Sequence, residues 1–259
     1  MKRYTKHFIP MENDPKAFTK LAHALGVSSS FEFIDAFLED GNIVTFTEGK
    51  PVHALILIFP TNEIYEKEKA EGETTRHVYT ASGANEPVVW FKQTINNACG
   101  LYAILHSVIN GGISGSIGVL LRYRSFLVHS NQEYTGLGSL ISNLLRSAIP
   151  LPPCERAQVL ENSDELETIY RSIALENPSA EYINPEDEVD YHYIAFVRGS
   201  NGMLFEMDGD TDKGPRSLGS IGSESLASNM TIKEALNQYL KRGGLNELGF
   251  SLLALVGEI

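Results

Sequence analysis

The chain has 259 residues, 42% of them hydrophobic, and a formal net charge of −12. That length and apolar content suit one large domain or two small ones with a sizeable core. Two cysteines, Cys99 and Cys154, are too few for a disulfide framework and point to a reducing compartment. An acidic chain is a poor nucleic-acid binder. The longest apolar run, Ala54 to Pro60, is too short to span a bilayer, and Met1-Lys2-Arg3-Tyr4 opens no signal-peptide run.

The first helix carries its own punctuation. Asp14 is the N-cap, Pro15 sits at the first helical position, Phe18, Leu21, Ala22 and Leu25 form the stripe, and Gly26 ends it. Phe31 to Phe37 reads as a strand. His53 to Phe59 is a nearly unbroken apolar strand stopped by Pro60, which implies burial on both faces. A helical part around Tyr65 to Ala70 and a loop follow, and Val88 to Phe91 leads into the next helix. Gly111 to Gly118 is a glycine- and serine-rich link without the Lys-Ser/Thr ending of a phosphate loop. Helices are expected at Val119 to Val128, Leu137 to Ala148 and Glu155 to Glu161. Strands are expected at Tyr191 to Arg198, Met203 to Met207 and Phe250 to Val256. Thr231-Ile232-Lys233-Glu234 reads as a capping box, and Gly243-Gly244 stops the helix it starts. The interleaving of helices and strands, with no repeat and no linker between two cores, gives one α/β domain over residues 1–259.

Between Glu161 and Asp190 ten acids face one base, Arg171, so this span carries a net −9 of the total −12. By charge alone it is a solvated, mobile loop.

The most informative stretch is Gln93-Thr94-Ile95-Asn96-Asn97-Ala98-Cys99-Gly100. Asn96 or Asn97 is a good N-cap, and Leu101, Ile104, Leu105 and Val108 fall at helical spacing, so Cys99 lies in a first helical turn. The partial positive charge there favours a thiolate over a thiol, and Gln93 could offer an amide N–H to an oxyanion. The plain alternative is a small core cysteine.

A nucleophilic cysteine needs a base, and the base an orienting group. Of the seven histidines, His106 lies on the same helix about two turns and roughly 10 Å from Cys99, a poor position for its base. His192 opens the strand after the acidic span, and Asp208 ends the return strand. Closing that hairpin at Arg198 and Gly202, or at Val197 and Met203, sets His192 opposite Asp208. A four-residue loop would put them on opposite faces. Taken alone, His192 is an edge-strand residue bonded to backbone; beside Cys99 and Asp208 it completes a triad.

Gln93 to Gly100, Val189 to Val197 and Leu204 to Gly209 together resemble the three catalytic blocks of the ubiquitin C-terminal hydrolases. Ile9 to Pro15, Phe31 to Asp35 and Glu155 to Glu161 resemble the segments around them, so the likeness covers nearly the whole chain. Phe8 departs from the tryptophan frequent there. The resemblance implies a papain-like α/β fold, with a central antiparallel sheet flanked by helices, a knotted backbone, and a crossover loop over about residues 162–187 above the active site. With the last strand near its end, the chain looks like the short members.

The resemblance makes Cys99 the nucleophile on the carbonyl of ubiquitin's terminal glycine, His192 the base and then acid, Asp208 its orienter and Gln93 an oxyanion donor. Glu12 and Asp35 become contacts for ubiquitin's arginine-rich tail. No cofactor and no metal is expected, since no His/Cys cluster has ligand spacing. The expected partner is ubiquitin or a close ubiquitin-like relative, with no nucleic acid and no membrane. The expected protein is a monomer in the cytosol, with the nucleus as alternative. The rival readings are a non-catalytic ubiquitin-binding or stabilising protein, and another Cys-His-Asp amide hydrolase or acyltransferase.

Overall fold

The unbroken apolar run ending at Pro60 forms a strand buried on both faces. Alternate side chains of a strand point to opposite sides. Ala54, Ile56 and Ile58 therefore enter one hydrophobic core, and Leu55, Leu57 and Phe59 enter the other. The computed structural model describes residues 4–40, 42–47, 49–111, 138–176, 184–187, 189–222, 224–242 and 249–258. The helix expected at Val119 to Val128, His129, the stop at Gly243-Gly244 and all but the first residue of the Gly111 to Gly118 link lie outside them.

In chain order the elements are β1 (Lys6–His7), α1 (Pro15–Leu25), β2 (Phe31–Glu39), β3 (Asn42–Thr45), β4 (Val52–Pro60), α2 (Glu63–Thr74), β5 (Ile95–Asn96), α3 (Cys99–Ile109), α4 (Leu140–Ala148), α5 (Pro153–Glu161), α6 (Asp164–Ala174), β6 (Tyr191–Arg198), β7 (Met203–Met207), β8 (Arg216–Ser220), α7 (Met230–Arg242) and β9 (Ser251–Gly257). Among the described residues seven strands form one sheet in the order β3-β2-β9-β4-β6-β7-β8, with every pair antiparallel. β1 and β5 make a separate parallel pair. Buried residues of α1, α3, α4, α5 and α6 cover one face of the sheet, and α7 with Tyr65 of α2 covers the other. Among the described residues no helix is long and apolar enough to cross a membrane.

Helix α1 follows its sequence signals. Asp14 accepts from the Lys16 N–H, the four stripe residues are buried, and Gly26 closes the helix at φ 106°. An added Cβ on Gly26 would lie 2.2 Å from that of Ser139, so the turn and the packing both require glycine there. Helix α7 differs from expectation: it starts one residue before Thr231, and Asn229 accepts from the Thr231 N–H in the capping role.

Two further differences matter for function. The β6–β7 hairpin pairs Arg198 with Leu204 and Val197 with Phe205, two residues along from the expected register. Gly199 donates to Met203 O, leaving a three-residue loop with Gly202 at φ 75°. A shift of two keeps every side chain on its face, because the strand period is two. The acidic span, read from its charge as a loop, contains α6. Ser163 caps it, Asp164, Glu165 and Glu167 occupy its first turn, and Leu166, Tyr170, Ile173 and Ala174 are buried at helical spacing. Counting charge hid that period.

Arg156 of α5 is fully buried. It donates to both carboxylate oxygens of Glu86 and to the carbonyls of Trp90, Ala148 and Ile149. Glu86→Gln keeps the shape and strands the guanidinium, so it should cost about 3–5 kcal/mol. Urea denaturation should show a lower midpoint with an unchanged slope.

Candidate active site

Cys99 is the first residue of α3, and Ala98 stands in the cap position with no side-chain cap bond. Neither asparagine caps the helix. Asn96 belongs to β5 and places its Nδ2 3.1 Å from His7 Nδ1. Asn97 adopts φ 56° and donates from Nδ2 to the carbonyls of Pro185 (3.0 Å) and Asp187 (2.9 Å). Asparagine tolerates this left-handed turn, which lets the chain leave β5 and enter α3 within two residues. The first-turn N–H groups are thus not taken by a cap and point out of the helix start. Residues Gly100 to Ile109 of α3 are all buried, and Cys99 is half-buried where the helix emerges into a cleft of about 540 Å³.

The cleft brings Cys99, His192 and Gln93 together. β6 supplies His192, whose Nε2 lies 2.8 Å from Asp208 Oδ1, just past the end of β7. Because the register is displaced by two, the pair meets diagonally on one face rather than directly opposite. Asp208 Oδ1 also accepts from the Asp210 N–H at 2.8 Å. Its Oδ2 accepts from Tyr65 Oη at 3.5 Å and lies 3.6 Å from Lys69 Nζ. The Trp90 indole N–H holds the Asp208 carbonyl at 2.9 Å.

Burial alone would lower the pKa of His192. The Asp208 charge and hydrogen bond outweigh it and, with the nearby Cys99 side chain, push it up to about 10. For Asp208, burial works to raise the pKa, but His192 and Lys69 hold the carboxyl well below the usual range. Since Nε2 is engaged by Asp208, Nδ1 is the ring nitrogen left for the sulfur. His106 stays apart: it accepts the Phe91 N–H on Nε2 at 3.0 Å, and burial pushes it down to about 4.

Gln93 is held by its neighbours. Its backbone N–H donates to Gly209 O at 2.7 Å and its Nε2 to Ile95 O at 3.1 Å, which leaves the second amide proton uncommitted in a residue that lines the cleft. An added Cβ on Gly209 would sit 3.2 Å from Gln93 Cβ and 3.4 Å from Tyr102 Cβ, so glycine permits this close approach beside Asp208. Of the two expected substrate contacts, Glu12 lines the cleft. Its segment is fixed by Tyr193 Oη on Met11 O and Tyr170 Oη on Ile9 O. Asp35 is exposed in an adjoining groove with Phe37, Leu38 and Leu240; Phe250 and Ser251 border both spaces. Among the described residues no group of three His, Cys, Asp or Glu could hold a metal ion.

Sequence reading missed Lys69, Tyr65 and Trp90. The pair Tyr65 and Lys69 had a readable signal, four residues apart on a predicted helix, but nothing local said what that face meets.

The family model described as "Ubiquitin carboxyl-terminal hydrolase, family 1" matches residues 8–241. Ubiquitin carboxyl-terminal hydrolase YUH1 of Saccharomyces cerevisiae is 28% identical over 256 residues, covering 95% of this chain and 94% of its own. A ubiquitin carboxyl-terminal hydrolase of Drosophila melanogaster is 30% identical over 247 residues, covering 95% and 96%. The crystal structure of the Trichinella spiralis UCH37 catalytic domain bound to ubiquitin vinyl methyl ester superposes with a TM-score of 0.65. It is 18% identical and covers 100% of this chain and 97% of that one, which shows a shared papain-like α/β fold.

The two pKa displacements fix a stability window. The raised His192 contributes fully below its unfolded value and loses its contribution as pH rises through about 10; the lowered Asp208 contributes above its unfolded value and loses it on acidification. The stability advantage of the wild type over Asp208→Asn in urea unfolding should therefore shrink from about pH 7 upward. An advantage that stays constant to pH 10 would contradict the pairing.

Proposed function

The chain belongs to ubiquitin carboxyl-terminal hydrolase family 1 and is a cysteine-dependent deubiquitinating hydrolase, and from that premise we propose that Cys99, His192, Asp208 and Gln93 carry its reaction. One observation carries the assignment: a single imidazole is hydrogen-bonded to the Asp208 carboxylate at 2.8 Å and lines the same cleft as Cys99 and Gln93.

His192, its pKa raised by Asp208, holds the thiol proton as an imidazolium, and the Cys99 sulfur attacks the carbonyl carbon of ubiquitin's terminal glycine. The oxyanion is met by the Cys99 backbone N–H and Gln93 Nε2. The imidazolium then gives its proton to the leaving amine, alkoxide or thiolate as the carbonyl re-forms and a thioester remains. Water, deprotonated by His192, hydrolyses the thioester and regenerates the thiol. Asp208 keeps the imidazole in one tautomer and orientation throughout. Small adducts and short peptides are the leaving groups this reading favours. We read residues 1–259 as one catalytic unit, supported by the single sheet shared by both cores, acting as a monomer in the cytosol or nucleus.

Cys99→Ala should abolish hydrolysis of a ubiquitin C-terminal amide while ubiquitin binding persists, and an electrophile-tipped ubiquitin should form one adduct, on Cys99. Turnover by Cys99→Ala near the wild-type rate would remove the assignment. His192→Ala should lose about 10²–10⁴-fold in kcat, and Asp208→Asn less, because it disturbs orientation and leaves the base in place.

The net charge of −12, with Glu12 in the cleft and Asp35 in the groove beside it, favours a basic tail. The screening length falls from about 10 Å at 0.1 M salt to about 3 Å at 1 M. Stopped-flow association with ubiquitin should slow steeply over that range. A salt-independent rate would refute electrostatic steering.

A further inference from the structure

Helix α2 meets the turn after β7 through one polar face. Tyr65, Lys69 and Glu73 are spaced four residues apart and share that face. Each holds a successive part of the stretch Asp208 to Asp212. Tyr65 Oη donates to Asp208 Oδ2. Lys69 Nζ stands 3.6 Å from that oxygen and 2.8 Å from Asp210 Oδ2. Glu73 Oε1 accepts from the Thr211 hydroxyl and the Asp212 N–H. Tyr65 is the buried residue of α2. The helix therefore lacks the broad apolar stripe by which a surface helix usually docks, and its polar face does much of the work of holding it to the turn. The Lys69 side chain is only 15% exposed, so its ammonium has given up most of its water for these two carboxylates.

We propose that Lys69 is a positioning residue for the reaction, fixing the Asp208 carboxylate so that Oδ1 faces His192. This rests on the reading that His192 and Asp208 orient the chemistry at Cys99. A carboxylate has two equivalent oxygens and rotates easily about its Cβ–Cγ bond. His192 and the Asp210 N–H both claim Oδ1, while the ammonium claims Oδ2, so one orientation is selected. The same ammonium binds the Asp210 side chain, which steadies the N–H that Asp210 donates back to Asp208. Lys69 supplies charge and direction to Asp208; it exchanges no proton with the substrate.

The test compares Lys69→Met, which keeps the stem and removes the charge, with Lys69→Arg, which keeps the charge. Steady-state hydrolysis of a fluorogenic ubiquitin C-terminal amide gives kcat and KM. Ubiquitin affinity is measured in a Cys99→Ala background, and proton NMR follows the low-field resonance of the His192 ring N–H facing Asp208. Lys69→Met should lose about tenfold or more in kcat, as expected when a reacting group is misplaced. KM and ubiquitin affinity should hold within about twofold, the low-field resonance should shift or broaden, and Lys69→Arg should restore most of both kcat and resonance. A kcat for Lys69→Met within about twofold of wild type overturns the proposal. So does an equal loss in Lys69→Met and Lys69→Arg, which marks a steric role, and so does a loss confined to KM, which places Lys69 on the substrate. Thermal melts identify a folded charge-free variant, with Lys69→Gln substituting for Lys69→Met under the same outcomes. Activity retained by Cys99→Ala would remove the underlying reading, whereas an inactive Cys99→Ala beside a fully active Lys69→Met removes this proposal alone.

Discussion

A buried carboxylate and imidazole stay paired only if the lone pairs and protons they do not share with each other also find partners, and this requirement organises the elements around Asp208. The side chains of His192 and Asp208 are 11% and 10% exposed. Exposed ion pairs contribute little to stability, whereas breaking a buried one is costly because a charge is left without water or partner. Here Asp208 draws on the His192 ring, the Asp210 N–H, the Tyr65 hydroxyl and the Lys69 ammonium, and the Trp90 indole takes its carbonyl. These groups come from β6, the turn after β7, α2 and the segment before β5. The turn is in place only when all four are folded against one another.

The sheet makes that meeting reproducible. β4 lies between β9 and β6 and divides its side chains between two cores, so its position is fixed from both faces. Each large aliphatic or aromatic side chain so buried contributes about 1.5–3 kcal/mol. β6 pairs with β4 on one edge and with β7 on the other. His192 therefore sits on a strand anchored on both sides, with Phe59 of β4 edge-on to its ring at 5.8 Å. Helix α3 runs through the core, and its first two residues, Cys99 and Gly100, line the cleft. A helix apolar on every side is a core helix, and Cys99 is where this one ends its burial.

The acidic span shows how composition and periodicity can disagree. Ten acids against one base describe a solvated stretch, yet every third or fourth residue from Leu166 to Ala174 is apolar and buried. The acids of its first turn favour the helix start, and Lys6 pairs with Glu167 while Phe8 stacks on Tyr170 at 4.7 Å. The chain N-terminal to α1 is thereby joined to α6. Residues 185 and 187 of the same span accept hydrogen bonds from Asn97, two residues before the thiol.

What the sequence determined by itself are the features written within about four residues of each other. The Asp14 cap, the Pro15 start and the Gly26 stop of α1, the double burial of β4, and the first-turn position of Cys99 all rest on local backbone bonds and side-chain periods, which a linear reading captures. Gln93 stands six residues before Cys99 and hairpin register brought His192 toward Asp208; the resemblance to the family blocks joined that distant pair to Cys99. Tertiary structure alone decided how those groups meet. The hairpin register is displaced by two residues because the loop closes at Gly199 and Met203, and only the even period of the strand kept His192 and Asp208 on one face. Asn97 spends its side chain on a distant segment instead of on the helix it precedes, and α2 turns a polar face of little local meaning toward Asp208. Such contacts join residues far apart in the chain. Their energy depends on burial and on competing partners that exist only after the sheet has closed, so the order of residues alone does not encode them.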